Sequence, residues 1–258
     1  MAIHCCYRKT NDSNYIAVGS YIKIPYGCNY RAGIVDPIND PEGHNYNGDY
    51  QEFFHGMYTR YPDTTIGVDS GIGYINGQFK IIVWSYPNMF LSNTYGGPQW
   101  FSKVININKG DIIILRTYLN NNKFITQVDD ANGNEIDRIE ITCASTKIYN
   151  KFLSGVEINR ENSIAINQKN GTTEECNDTP AVYFKGVEFY RTTLTTTSYS
   201  YVPLTNQNSH LRHTNNSLKF TGRVVDFPYY DDTLSRTMVS GFIKDTVSAT
   251  SNSNECPI

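Results

Sequence analysis

Residues 105–141 read INI-NKGD-IIILRTYL-NNNK-FITQV-DDANGN-EIDRIEI, and this stretch decides the fold class. Three short runs rich in Ile, Val, Thr and Tyr are separated by Asn120-Asn121-Asn122-Lys123 and by Asp129-Asp130-Ala131-Asn132-Gly133-Asn134. Asn, Asp and Gly tolerate the positive φ of tight reversals, so both separators read as hairpin turns. Side chains alternate along a strand. Ile113, Leu115, Thr117 and Leu119 therefore share one face of the first run, and Phe124, Thr126 and Val128 share one face of the second. The stretch is a three-stranded meander, which identifies a β fold and names no activity.

Outward from the meander, similar runs recur. Tyr15–Ile24 alternates as a strand stopped by Pro25 and Gly27, and Tyr50–Tyr61, Thr64–Tyr74, Gln78–Tyr86 and Phe101–Ile107 read as further strands. The glycines of Thr64–Tyr74 suggest a bulge or a close backbone approach. Gly77 falls one place too late to complete a nucleotide-binding glycine pattern with Gly71 and Gly73. Gly33–Gly48, dense in Pro, Asp, Asn and Gly, reads as a long surface loop, and Asn88–Trp100 as an aromatic one. Lys151–Ile166 reads as two strands about Asn159-Arg160-Glu161-Asn162. Asn167–Pro180 reads as a polar loop and Val182–Leu194 as a strong strand. Leu218–Val225 and Thr237–Thr246 are weaker strands in a less regular tail. No helix and no internal repeat is expected. The chain is read as an exposed arm (1–13), an all-β antiparallel sandwich (14–194), and an irregular C-terminal extension (195–258) packing on the sandwich or on a neighbouring subunit.

Composition narrows the function classes. At 258 residues the chain can bury a sizeable core. With 18% charged residues, 39% hydrophobic residues, 20 Tyr, 12 Phe and a net charge of −3, it is neither disordered nor basic enough to follow a phosphate backbone. Nucleic acid is excluded as a partner. A mean hydropathy of −0.45 comes mostly from Asn, Thr, Ser and Tyr, a surface common on extracellular β proteins. The apolar runs are strand-sized, so no membrane span is expected. Met1-Ala2-Ile3-His4-Cys5-Cys6 shows no basic start and no apolar core, so no signal peptide is visible. The expected location is extracellular, on a cell or spore surface, or in a parasporal inclusion.

Cys5, Cys6 and Cys256 lie near the ends, and Cys28, Cys143 and Cys176 are interior. No pair has CxxC spacing and the five histidines do not cluster with them, so neither a metal site nor a cofactor is expected. They read either as buried thiols or as disulfides, with the terminal ones placed to reach another copy of the chain.

From Gly67 to Tyr190 the order of elements resembles a concanavalin-like sandwich of jelly-roll type, and more narrowly the glutamic-peptidase (eqolisin) branch. Thr65-Ile66-Gly67-Val68-Asp69-Ser70-Gly71 resembles that family's Gly-rich strand, and Ile107-Asn108-Lys109-Gly110-Asp111-Ile112 resembles its meander entry. Gly155-Val156-Glu157-Ile158 resembles its Glu strand. The resemblance implies a Gln and a Glu facing one water, the Glu as general base and the Gln amide stabilising the oxyanion. The corresponding positions here are Gln78 and Glu157. Read from the residues alone, Gln78 is a strand start after a turn and Glu157 an outward strand position.

Other constellations are weaker. His210 and His213 are three apart, and Asp129, Asp130, Asn132 and Asn134 alternate as in a calcium loop but are explained by a hairpin turn. The aromatic loops, with Tyr95 and Trp100, suit glycan stacking or core packing. Three functions follow from these features. The first is a non-catalytic, self-associating structural or crystal-type protein cross-linked through its cysteines. The second is an acid hydrolase resembling the glutamic peptidases, and the third is a glycan-binding module.

Overall fold

In the computed structural model, residues 2–24, 50–60, 62–63, 65–75, 78–166, 183–185, 188–205, 207–214, 220–231 and 236–248 are described. Two antiparallel sheets face one another, as the alternation of apolar residues requires. The first has seven strands. In spatial order they are β14 (Ser209–Thr214), β1 (Ala2–Thr10), β10 (Glu157–Ile166), β3 (Tyr50–Tyr58), β4 (Gly67–Ile75), β5 (Gln78–Ser85) and β6 (Trp100–Val104). The second has six: β13 (Tyr201–Pro203), β12 (Glu188–Thr196), β2 (Tyr15–Lys23), β7 (Ile112–Asn120), β8 (Lys123–Asp130) and β9 (Glu135–Thr142). A third sheet joins β11 (Tyr183–Lys185), β16 (Arg236–Ser248) and β15 (Phe220–Asp231). The all-β sandwich expected from the sequence is the fold.

The meander forms β7, β8 and β9 with the expected faces. Ile113, Leu115, Thr117, Phe124, Thr126 and Val128 are all buried. Asn121 (φ 48°) and Asn122 (φ 61°) make the first turn, the positive-φ pair that matches strand twist. In the second turn the Asp130 carboxylate accepts from the backbone N–H groups of Asn132 and Asn134 and from the Asn134 amide, and Gly133 takes φ 86°. These hydrogen bonds hold the Asp130 carboxyl below its ordinary range, so the loop is a self-satisfied turn.

The core lies between the sheets. Phe53, Met57, Val68, Ile72, Ile81, Val83 and Phe101 of the seven-stranded sheet are buried, as are Val18, Ile22, Ile113, Leu115, Phe124, Val128, Phe189 and Leu194 of the six-stranded one. At one end Phe90, Phe124 and Phe152 cluster, with ring centroids 5.4 to 6.5 Å apart.

Three expectations need correction. Residues 1–13 are no exposed arm: β1 is hydrogen-bonded on both sides, by β10 and β14, with Arg8 and Thr10 buried. Tyr201–Pro203 and Ser209–Thr214, read as part of the extension, are edge strands of the two sheets. Lys151–Ile166 is not two strands. It holds the end of a helix α1 (Thr146–Leu153) and then one strand, β10, running straight through Asn159–Asn162. The helix signals were present in the residues. Ser145 caps the first turn by accepting from the Ile148 N–H at 3.3 Å, Ile148 and Phe152 are an i, i+4 apolar pair, and Gly155 follows at φ 105°. Among the described residues, no helix is long and apolar enough to cross a membrane.

Candidate functional site

Antiparallel pairing lets the seven-stranded sheet be read as rows. One row runs Lys9, Asn159, Gly56, Asp69, Trp84 and Trp100 across β1, β10, β3, β4, β5 and β6. The row above it runs Glu157, Tyr58 and Gly67, continued by Tyr86, whose N–H donates to the Gly67 carbonyl at 2.8 Å. Below lie Glu161, Phe54, Gly71 and Ile82, and then Glu52, Gly73 and Lys80. The alternate residues of these strands fill the core, so this is the face turned away from the six-stranded sheet.

That face gathers carboxyls into poorly hydrated space. Burial first, and then the charge of Glu161, raise the Asp69 carboxyl well above its ordinary range. The neighbouring Tyr58 hydroxyl offsets part of that rise. Burial and Glu161 push Glu52 up to about 8. Tyr58 is itself held well above its ordinary value, by burial and by Asp69. Glu161 and Glu157 are 8% and 5% exposed. Glu157 is ion-paired with Lys9, and the Arg60 Nε stands 3.6 Å from its other oxygen.

At the centre of the face the position over Gly56 is closely covered by its neighbours. A Cβ there would stand 2.6 Å from the Tyr58 ring, 2.9 Å from Asp69 Oδ1 and 3.1 Å from the Asn159 Cβ. Asp69 Oδ1 and Asn159 Oδ1 are both buried, and neither has a hydrogen-bond partner among the described residues. Aromatic rings line this part of the face. The Tyr58 and Tyr86 rings meet edge to face at 6.1 Å, and Trp84 and Tyr86 at 5.7 Å.

A second polar cluster lies between the sheets. The His55 ring nitrogens reach Ser20 Oγ at 2.8 Å and Thr117 Oγ1 at 3.2 Å. Thr192 Oγ1 lies 3.0 Å from Ser20 Oγ and accepts from Arg160 at 2.9 Å. Burial, and then Arg160, hold the His55 pKa down to about 3. Ser20 and His55 resemble a nucleophile and its base, but both are enclosed between the two sheets, where no substrate reaches them. They cross-link the sheets by hydrogen bonds.

The candidates read from the sequence fall in different places. Gln78 pairs with Ile75 at one end of β4, whereas Glu157 is level with Gly67 at the other. Eight residue steps separate these rows, roughly 26 Å at about 3.3 Å per residue, so no single water contacts both. Gln78 is exposed and lines a separate cavity of about 560 Å³ with Tyr74, Phe79, Asn106 and Lys109. Tyr95 packs against the core, with the Lys103 ammonium 5.3 Å from its ring centroid. Trp100 stands on the outer face opposite Trp84.

Of the cysteines, Cys143 is a free, buried thiol that burial pushes up to about 12, so it takes no part in cross-linking. Cys5 and Cys6 belong to the doubly paired β1, and Cys28, Cys176 and Cys256 lie outside the described residues, as do the Gly33–Gly48 and Asn167–Pro180 loops. Among the described residues, no group of three His, Cys, Asp or Glu is arranged to hold a metal ion.

Sequence reading passed over Asp69, Asn159, Glu161, Glu52 and Tyr58. One signal was available. Read as a single strand, Glu157-Ile158-Asn159-Arg160-Glu161 places three polar side chains on one face, and Gly67, Asp69, Gly71 and Gly73 share one face of β4 in the same way.

No protein-family model matches the chain, and no curated protein matches it. Among solved structures it is similar to scytalido-glutamic peptidase, crystallised with a peptide-based transition-state analogue. The identity is 14% over 94% of this chain and 97% of that chain, with a TM-score of 0.46. The likeness is one of all-β architecture.

Proposed function

We propose that the outer face of the seven-stranded sheet is the active site of a carboxyl-dependent hydrolase acting on an extended polymer. The observation that supports this reading is the gathering of Glu52, Asp69 and Glu161 on one poorly hydrated face, where burial and mutual repulsion raise Asp69 and Glu52. Carboxyls that cannot all ionise keep one proton to donate and one charge to accept with, the division of labour that acid–base hydrolysis needs. Asp69, kept neutral, is the general acid. Glu161 is the base that takes a proton from water as the water oxygen bonds to the substrate carbon. The bond to the leaving group then breaks, and the leaving atom takes the Asp69 proton. Glu157, held by Lys9 and Arg60, fixes the upper edge of the site.

Incubating the purified chain with denatured protein and with neutral polysaccharides from pH 3 to 9 tests this. Hydrolysis should be lost in both Asp69→Asn and Glu161→Gln. Full activity in either variant overturns the reading.

Trp84 opposite Trp100 favours a second reading, a non-catalytic glycan-binding face on which sugar rings stack. Binding of oligosaccharides by a chain that hydrolyses nothing, lost in Trp84→Ala and Trp100→Ala, would replace the first reading.

A further inference from the structure

On one side of the sandwich the two sheets end in edge strands, β6 of the seven-stranded sheet and β9 of the six-stranded one. Between these edges the chain lays part of its own backbone. The Leu91 N–H donates to the Thr142 carbonyl of β9 at 3.0 Å, and the Tyr95 carbonyl accepts from the Ser102 N–H of β6 at 2.9 Å. The Asn93 amide reaches the Glu140 carbonyl at 3.2 Å. Sheets pack about 10 Å apart and paired strands lie about 4.8 Å apart, so one segment between facing edges can hydrogen-bond to both. Residues 91–96 use half of this slot in that way.

The other half is open. Lys103 marks the boundary, paired with Asp137 and donating to the Arg138 carbonyl at 3.4 Å. Beyond it, between Val104 and Ile136, lies the cavity of about 560 Å³ that Gln78 lines. The Ile105 N–H donates to Phe79 of β5 and the Ser102 N–H turns away from β5, so by alternation the Val104 N–H and C=O point out of the edge. Among the described residues neither has a hydrogen-bond partner, and neither does the Asn106 side-chain amide. On the facing edge Ile136 is the extra residue of a bulge, because Val128 pairs with Asp137 and Asp129 with Glu135.

The lining says what fits. Val104 and Ile136 are 52% and 38% exposed, and Phe79, Ile105 and Ile107 of the core form an apolar floor. Charge selects nothing strongly, since Lys103 is paired with Asp137 and the Lys109 ammonium lies 5.3 Å from the Tyr74 ring centroid. An unpaired strand edge, an apolar floor and neutral amides suit polypeptide, which brings backbone donors and acceptors together with aliphatic side chains.

We infer that the cleft between Val104 and Ile136 is a docking site for an extended, uncharged peptide segment of another polypeptide. The segment adds to the edge of β6 as a short strand, continues the slot that residues 91–96 occupy, and turns an aliphatic side chain onto Phe79 and Ile105. The inference does not rest on the hydrolase reading. A chain that docks the peptide but cleaves nothing loses only hydrolysis, and one that cleaves without docking loses only this site.

Fluorescence anisotropy of the full chain with a fluorescein-labelled heptapeptide of Val alternating with Ser and Thr tests it. Two further versions of the peptide are N-methylated at alternate residues, one in each frame, which keeps the side chains and removes backbone donors. The parent peptide should bind, and at least one methylated version should bind about tenfold more weakly or worse, the loss of about two hydrogen bonds. Val104→Pro removes the outward donor without breaking a bond to β5, and should weaken the parent peptide to a similar extent. Ile136→Glu, on the facing edge, should weaken it too and carries the mutational test if Val104→Pro does not fold by circular dichroism. Equal affinity for all three peptides, no binding of the parent, or undiminished binding in the folded variants overturns the inference.

Discussion

Asp69 and Asn159 stand on either side of Gly56 in one row of the seven-stranded sheet, each with a buried oxygen facing no donor among the described residues. A folded domain rarely leaves two such acceptors side by side, because each costs free energy that an apolar pair would not. Their persistence, with Asp69 itself kept from ionising, is the kind of local conflict that working sites carry.

Relieving that conflict should stabilise the fold at the expense of activity. Asp69→Asn removes a carboxyl that burial and Glu161 hold well above its ordinary range. At pH 7.5 the variant should resist urea better than the parent, by on the order of 1–3 kcal/mol. Hydrolysis should fall by a factor of about 10²–10⁴, the usual contribution of a general acid. A urea melt and a rate on one sample would expose a variant that gained neither.

Stability should peak at acid pH. Glu52 is raised from 4.5 to about 8, so its contribution is complete below pH 4.5 and is lost as pH climbs towards 8. His55 is lowered from 6.5 to about 3, so its contribution is complete above 6.5 and is lost as pH falls towards 3. Asp69, raised well above 3.8, loses its contribution over the same alkaline range, so the two carboxyls outweigh His55 above pH 4.5 and the optimum lies at roughly pH 4. Thermal melts across pH 3–9 should trace a dome. Glu52→Gln should flatten its alkaline limb and leave the acid limb in place.

The aromatic cluster at the end of the sandwich should be costly to empty. Phe124 is fully buried between Phe90 and Phe152, which comes from α1, so Phe124→Ala opens a cavity shared by a sheet and a helix. Loss of about 3–5 kcal/mol is expected. Equilibrium denaturation reads it directly, and a loss below 1 kcal/mol would mean that the cluster is not packed as described.

Cys143 should be chemically silent. Its thiol is 2% exposed and is pushed up to about 12 by burial. Alkylation with iodoacetamide at pH 8, followed by mass spectrometry, should leave it unmodified in the native chain and label it in denaturant. Labelling at the rate of a free thiol would show that this part of the sandwich opens.

Gly133 and Gly56 should answer the same substitution differently. Gly133 takes φ 86° with nothing near a Cβ, so Gly133→Ala meets only backbone strain of about 1 kcal/mol. At Gly56 the added methyl would collide with the Tyr58 ring at 2.6 Å and with Asp69 Oδ1 at 2.9 Å. Gly56→Ala should therefore lower the urea midpoint further than Gly133→Ala does in the same denaturation experiment.

What the residues determined by themselves was local. Ile113, Leu115 and Phe124 alternate with polar neighbours, and Asn121, Asn122 and Gly133 tolerate positive φ, so β7, β8 and β9 are legible wherever the chain meets them. The same holds for β2, β3 and β5. Even the missed helix α1 carried its own cap at Ser145, overlooked because β-rich surroundings made a strand the easier reading. The site was not legible in this way. Asp69, Gly56 and Asn159 come from three strands spread over more than a hundred residues, and only the pairing of β3 with both β4 and β10 makes them neighbours. The same pairing sets Gln78 and Glu157 at opposite ends of the sheet. Side-chain alternation depends on covalent geometry within one strand, whereas register between distant strands depends on which faces find a core together. That is why the strands could be read from the sequence, while the partners of Asp69 were decided only by tertiary structure.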